Sequence, residues 1–180
     1  MDFKITNYSV TSEQLCLEQT AELPIDTDFT VPDYSGEICK IIKCDVKSFA
    51  SSKHLSGNTL SVEGDAVLTV IYADKDSNIF SAVQEIPFKK IFETGKNLDG
   101  GFCDVSFEGV IHACRAVTER RISIKASVRV NAKVTVNEKT EIITDIDDSC
   151  FETFCGQADI TTPLSTVQKL IIIDEELTLS

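Results

Sequence analysis

Strict alternation of apolar and polar residues is the strongest pattern in this chain. From Ile122 to Val136 every second residue is apolar and the residues between them are polar. Successive side chains of a strand point to opposite faces, so this segment is predicted to be a long strand with one buried face. A second segment repeats the pattern, with one face formed by Leu60, Val62, Gly64, Ala66, Leu68, Val70 and Tyr72.

Turn residues between the alternating segments predict hairpins. The polar run 73–78 separates the second segment from a strand that begins at Ile79 and is expected to end at Pro87. Ser56-Gly57-Asn58 separates it from an earlier strand over 37–50. Further strands are predicted at 12–23, 103–113 and 140–146, with 103–113 pairing with the long strand. No segment has a helical period with caps. The sequence therefore predicts an all-β, antiparallel β-sandwich-like domain built from meanders and long strands.

The C-terminal region differs from the rest. We predict a β-rich domain over residues 1–147, followed by an irregular segment and an extended C-terminal arm within 148–180. An unpaired apolar strand can complete the sheet of a neighbouring chain, and repetition of that contact gives an open filament. The alternative, that the arm pairs with its own sheet, remains open. The candidate strand-addition residues are Val167, Leu170, Ile171 and Ile173.

Charge narrows the possible partners. The net charge is -12 over 180 residues, and no extended Lys/Arg cluster is present. Nucleic acids and anionic membranes both require a basic surface, so neither is a predicted partner. The N-terminus lacks the basic and apolar regions of a signal peptide, and no apolar run approaches the length of a membrane span. We therefore expect synthesis in the cytoplasm without a signal peptide.

Seven cysteines are many for a chain of this length, and their odd number leaves at least one thiol free or paired with another chain. None forms a C-x-x-C pair and neither histidine stands at zinc-ligand spacing, so no metal site is predicted. By alternation, Cys114 should lie on the face opposite Cys103. Cys44 and Cys103 are interpreted as small buried hydrophobes. The candidate intermolecular cross-links are Cys114, Cys150 and Cys155.

Catalytic chemistry finds little support. His112 and Cys114 are two apart and would share one face of a strand, as a base and a nucleophile might. The chain has no G-x-S-x-G elbow, P-loop or dinucleotide fingerprint. The acidic run 145–148 lacks the glycine and terminal glutamate of a calcium loop and is interpreted as a solvated turn. We predict no catalytic residues, no cofactor and no enzymatic activity.

The order of these pieces resembles a known family. Val31-Pro32-Asp33, the strand at 38–46 and the hairpin that ends in Glu85-Ile86-Pro87-Phe88 resemble the SPOCS domain of spore-coat morphogenetic proteins from anaerobic endospore-forming bacteria. Residues 120–126 resemble its terminal strands, and the resemblance extends over roughly residues 12–147. It implies a β-rich scaffold with no catalytic residues. Many members add a C-terminal LysM module that recruits the coat's basement-layer ATPase. We expect this chain to lack that module, which puts the recruitment in doubt.

The resemblance and the residues together predict a structural subunit of a spore coat or spore-surface assembly, made in the mother cell. The chain would form a homo-oligomer or polymer, with other spore coat proteins as candidate partners. Self-association would use the arm, disulfides or both. The alternative is a monomeric adaptor that binds a coat protein or a cell-wall fragment, in a groove lined by Tyr34, Phe49 and Phe102.

Overall fold

A computed structural model of the chain describes residues 4–147, 156, 157 and 159. The described residues form antiparallel β-structure without a helix, in two three-stranded sheets with the orders β1-β6-β5 and β2-β3-β4. The predicted all-β, sandwich-like fold is confirmed. The strands are β1 (Lys4–Thr30), β2 (Lys40–Ser56), β3 (Thr59–Ala73), β4 (Ile79–Glu93), β5 (Phe102–Thr118) and β6 (Arg121–Asp147).

Two compact units divide the chain. The larger unit covers residues 14–137 and contains β2, β3, β4 and β5 in full. The smaller unit combines residues 1–13 with 138–180 and includes the outer ends of β1 and β6. Within it, the Thr144 hydroxyl donates a hydrogen bond of 3.1 Å to the Thr6 carbonyl oxygen. The predicted segment beyond residue 147 lies almost entirely outside the described residues, so the predicted division at 147/148 stays a prediction.

The hydrophobic core of the larger unit is built on the two central strands. Both alternating segments found in the sequence are these strands, and their apolar faces join one buried cluster. Each fully buried Val, Leu or Ile side chain contributes roughly 1.5–3 kcal/mol relative to an exposed one. The buried members on β3 and β6 are Leu60, Val62, Ala66, Leu68, Val70, Tyr72, Ile122, Ile124, Ala126, Val128, Val130, Ala132 and Val134.

Two predicted strand ends are wrong. The strand from Ile79 does not stop at Pro87, which pairs with Asp65 inside β4 and is followed by paired residues as far as Glu93. Proline is tolerated there because β4 is an edge strand, where the position without an N–H can face away from the sheet. The short strand predicted at 140–146 is part of β6 and not a separate element. The strand predicted at 12–23 is confirmed within β1.

Asp74 organises the β3–β4 turn. Its carboxylate accepts hydrogen bonds from the backbone N–H groups of Asp76 (2.9 Å) and Asn78 (2.8 Å) and from the Asn78 side-chain amide (2.9 Å). The Asn78 side chain and these backbone donors lower the pKa of Asp74, because they stabilise its charged form. The turn thereby fixes the hairpin in which Ala73 pairs with Ile79.

We predict that Tyr72→Phe leaves the protein at least as stable as the wild type. Tyr72 is fully buried and stacks on Phe80 with ring centroids 5.6 Å apart, while its hydroxyl has no partner among the described residues. Removing an unpaired buried hydroxyl should raise the free energy of unfolding by about 0–2 kcal/mol in urea denaturation. The exposed Tyr34→Phe is the control. A loss above about 1 kcal/mol would contradict the prediction and indicate a bound water partner.

Candidate functional site: the strand seam and the open edge

Strand β2 of one sheet lies directly against strand β5 of the other, and this contact is called the seam below. A Cβ atom placed on Gly109 of β5 would lie 2.6 Å from the carbonyl oxygen of Val46 and 2.7 Å from its Cγ1. Real Cβ atoms do not approach other heavy atoms so closely. Glycine at 109 therefore permits the two strands to approach, even though they belong to different hydrogen-bonded sheets.

Two cysteines meet in the seam. The thiols of Cys44 on β2 and Cys114 on β5 are neighbours that affect one another electrostatically, and both residues are partly buried against the core. Cys44 pairs with Val70, and Cys114 pairs with Ile124, so each thiol stands beside a central strand. Burial, followed by the neighbouring Cys114 thiol, raises the pKa of Cys44 to about 12. Cys44 is therefore a protonated thiol at neutral pH.

The predicted orientation of Cys114 is wrong. A register shift between Ile111 and Ala113 leaves His112 as an extra residue in β5. Such a bulge reverses the alternation of inward and outward side chains beyond it. As a result, Cys103 and Cys114 both pack against the core, and burial also raises the pKa of Cys103. The interpretation of Cys44 and Cys103 as small core residues agrees with their positions.

The other predicted site residues lie outside the described part of the chain. These are Cys150, Cys155 and the arm residues Val167, Leu170, Ile171 and Ile173. Their roles stay predictions. Sequence reasoning did not place Cys39 among the cross-linking candidates, although it is the one exposed thiol among the described cysteines. Cys39 lies immediately before β2, outside the alternating apolar and polar residues of the strands. The sequence pattern therefore did not indicate that its side chain is exposed.

The bulge also separates His112 from Cys114, so the two do not form a base–nucleophile pair on one face. His112 Nε2 instead lies 2.9 Å from the hydroxyl of the buried Ser127, which donates a 2.6 Å hydrogen bond to Glu22. Because the hydroxyl proton is directed to Glu22, the imidazole supplies the N–H in its own contact. The three residues link β5, β6 and β1 across the outer face of their sheet. Ser127 is held between two partners, which suits a structural cross-strand network.

The outer edge of β4 is called the open edge below, because no strand among the described residues pairs with it. At its last residue, the Glu93 carbonyl oxygen accepts a 3.2 Å hydrogen bond from the side chain of Gln19 of β1. Exposure alternates along β4, and three large apolar residues point outward: Ile79 (69%), Val83 (60%) and Ile91 (49%). Pro87 has the same parity as these residues, and its missing N–H must face away from β3. The backbone groups of odd-numbered β4 residues therefore point to the open edge, where they can receive another strand.

A shallow cleft of about 380 Å³ lies in the larger unit on the outer face of the β2-β3-β4 sheet. Ser51, at a register shift of β2, donates a 2.7 Å hydrogen bond to Asp65, and Lys89 pairs with Glu63 at 2.6 Å. The full lining is Ser51, Glu63, Gly64, Asp65, Pro87, Phe88 and Lys89. Lys89 neutralises Glu63, whereas the Asp65 carboxylate is partnered by the neutral Ser51 hydroxyl, so the lining carries one excess negative charge.

Two of the aromatic residues considered as a groove, Tyr34 and Phe102, lie toward opposite ends of the β5–β6 hairpin. Phe102 pairs with Thr135 at the start of β5, whereas the turn containing Tyr34 follows Val31, whose N–H bonds to Arg120 at the other end of the β5–β6 hairpin. At the rise of a strand these positions are roughly 50 Å apart.

Among the described residues, no group of three or more His, Cys, Asp or Glu side chains could hold a metal ion. The same residues contain no helix with the length and apolarity of a membrane span.

The SPOCS-domain family, described as SipL, SPOCS domain, matches residues 37–116. The matched segment is less than half of the chain and contains β2, β3, β4 and nearly all of β5, including both thiols of the seam. The match is shorter than the resemblance that the sequence analysis placed over roughly residues 12–147, and it does not include strands β1 and β6. Comparisons with curated proteins and with solved structures gave no match. Residues 37–116 are therefore similar to the SPOCS domain, which confirms the predicted resemblance and suggests a spore-related role.

Proposed function

We propose that this protein is a non-enzymatic structural subunit of a spore coat or spore-surface assembly, which self-associates by strand addition. The observation that carries the proposal is the open edge of β4 before Pro87, residues 79–86, in a domain similar to a spore-related family. Exposed edge strands of this length are templates for pairing with another chain, and proteins that stay monomeric usually protect them. The net charge of -12 keeps free subunits soluble before assembly.

The donor strand in this proposal is the C-terminal arm, residues 166–180, of a second copy. Its apolar residues Val167, Leu170, Ile171 and Ile173 supply side chains to pack beside the exposed Ile79 and Val83. Addition is favoured over the first part of β4, because Pro87 offers no N–H to a partner. Intermolecular disulfides through Cys150, Cys155 or the exposed Cys39 are a second route to the same assembly. Cys114 is turned toward Cys44 in the seam and is poorly placed for that route.

Ser81→Pro tests strand addition without disturbing the hairpin. Ser81 is exposed and has the parity of Pro87, so its N–H points to the open edge and not to β3. Proline there should abolish the assembly, while the matched control Ser81→Ala should assemble like the wild type. Negative-stain microscopy and light scattering would compare these variants, the chain without residues 166–180, and each sample with reductant.

We expect ordered high-molecular-weight species from the wild type and from Ser81→Ala, and monomers from Ser81→Pro and from the chain that lacks its arm. Assembly that disappears only with reductant would assign it to the cysteines and overturn strand addition. Circular dichroism and thermal melting must show that Ser81→Pro remains folded. Monomers in every sample would overturn self-association and favour the adaptor, for which the cleft beside Phe88 is a candidate surface.

A further inference from the structure

We propose that Cys44 and Cys114 form an intrachain disulfide that fastens β2 to β5 once the protein meets an oxidising low-molecular-weight disulfide. The bridge would join the edge strands of two different sheets and would close the seam covalently. This inference concerns the stability of the subunit itself and is independent of the proposed strand addition. It assigns an intramolecular partner to the Cys114 thiol, which the alternation of the sequence had placed on the face opposite Cys103.

The geometry of the seam carries the inference. A disulfide requires Cβ atoms about 3.5–4.5 Å apart and Cβ directions that converge. The contact between Val46 and Gly109 brings the backbones of β2 and β5 together, two positions from Cys44 and five positions from Cys114. The bulge at His112 then turns Cys114 inward, so that Cys44 and Cys114 pack against the same core as neighbours.

The other described cysteines lack these features. Cys39 is exposed, Cys16 donates to the carbonyl oxygen of Gln14, and Cys103 lies on β5 eleven positions before Cys114. At the rise of a strand, that separation exceeds roughly 30 Å along β5, so Cys103 is too far away to replace Cys114 beside Cys44. The pair in the seam is therefore specific.

The redox step proceeds by thiol–disulfide exchange. In one order of events, Cys114 attacks the oxidant first. Its sulfur displaces one thiol from the oxidant and forms a mixed disulfide. The sulfur of Cys44 then attacks that of Cys114 and expels the second thiol, so that the two hydrogens of the protein thiols end on two molecules of reduced oxidant. The high pKa of Cys44 makes the second attack slow at neutral pH and faster as the pH rises.

The test uses the full chain, fully reduced and then incubated with glutathione disulfide at about pH 8. Digestion without reductant by trypsin and a glutamate-specific protease cuts after Glu108, which separates Cys103 from Cys114. The expected product is residues 44–47 joined to residues 109–115, with a mass lower by two hydrogen atoms than the sum of the two thiol peptides. The oxidised chain should also melt about 10 °C higher than the reduced chain.

Cys44→Ser and Cys114→Ser should each abolish this peptide and the increase in melting temperature, whereas Cys39→Ser and Cys103→Ser should retain both. If a seam variant fails to fold, the disulfide-linked peptides found in the oxidised wild-type chain decide whether Cys44 and Cys114 form the bridge. Persistent mixed disulfides of glutathione on Cys114, with no joined peptide, would overturn the inference. So would a Cys44 peptide joined to any cysteine other than Cys114.

Discussion

Gly64→Ala is expected to lower the free energy of unfolding by about 3 kcal/mol, a large part of the stability of a domain of this size. A Cβ at this position would collide with the backbone carbonyl oxygen of Phe49 and lie 2.7 Å from Cζ of Phe88. The carbonyl belongs to β2 at its register shift between Ala50 and Ser52, where the backbone cannot easily withdraw. The added methyl group must therefore displace β2, Phe88 or both.

The position of Phe88 makes this collision more damaging. Its ring passes over Gly64 and contacts Phe107 of β5, with centroids 5.7 Å apart and planes inclined by 54°. Displacement would break an aromatic contact between the two sheets, and such contacts contribute about 0.5–1.5 kcal/mol beyond burial. Urea denaturation and thermal melting should show the loss, with a melting temperature lower by roughly 6–12 °C.

Gly95→Ala is the matched control, since a Cβ there meets no heavy atom within 4 Å and the residue does not need a positive φ. It should melt within about 2 °C of the wild type. If Gly64→Ala melted as high as Gly95→Ala, the close packing of β2, β3 and Phe88 described above would be incorrect. Replacing glycine by alanine lowers the conformational entropy of the unfolded chain in both variants. This effect on stability therefore cancels when the two melting temperatures are compared.

Alternation alone predicted the central strands because nothing interrupts it there. From Leu60 to Tyr72 and from Ile122 to Val134 the buried apolar residues keep one parity, and the sequence shows that parity directly. The SPOCS resemblance was equally accessible, since it depends on the order of hairpins along the chain. These features are local, and a single sequence is sufficient to reveal them.

The seam was not predictable in the same way. One extra residue at His112 reverses the orientation of Cys114, and a bulge leaves no sign in a pattern of apolar and polar residues. The contact between Cys44 and Cys114 further depends on the approach of strands from different sheets at Gly109. Likewise, Pro87 was interpreted as a strand end because proline interrupts a strand that is paired on both sides. Only the tertiary structure shows that β4 is an edge strand, where proline is tolerated.

Val130→Asp is expected to unfold the protein, because it places a carboxylate on the fully buried face of the central strand β6. Val130 pairs with Phe107, and its neighbours on the same face, Val128 and Ala132, are also buried. They offer the carboxylate no cationic partner, so desolvation is uncompensated and costs at least about 4 kcal/mol. Since small domains have only about 5–15 kcal/mol in total, far-ultraviolet circular dichroism at 37 °C should show loss of β-structure.

Val83→Asp makes the same chemical change on the outward face of β4, where Val83 is 60% exposed. It should retain the β spectrum and a melting temperature within about 3 °C of the wild type, since an exposed carboxylate remains hydrated. Comparing the stabilities of the two variants thus distinguishes the buried face of β6 from the exposed face of β4. In the assembly experiment Val83→Asp should be folded but weakened in strand addition, because a charged edge disfavours a further strand. Equal unfolding of both variants would contradict the assignment of the β4 outer face to solvent.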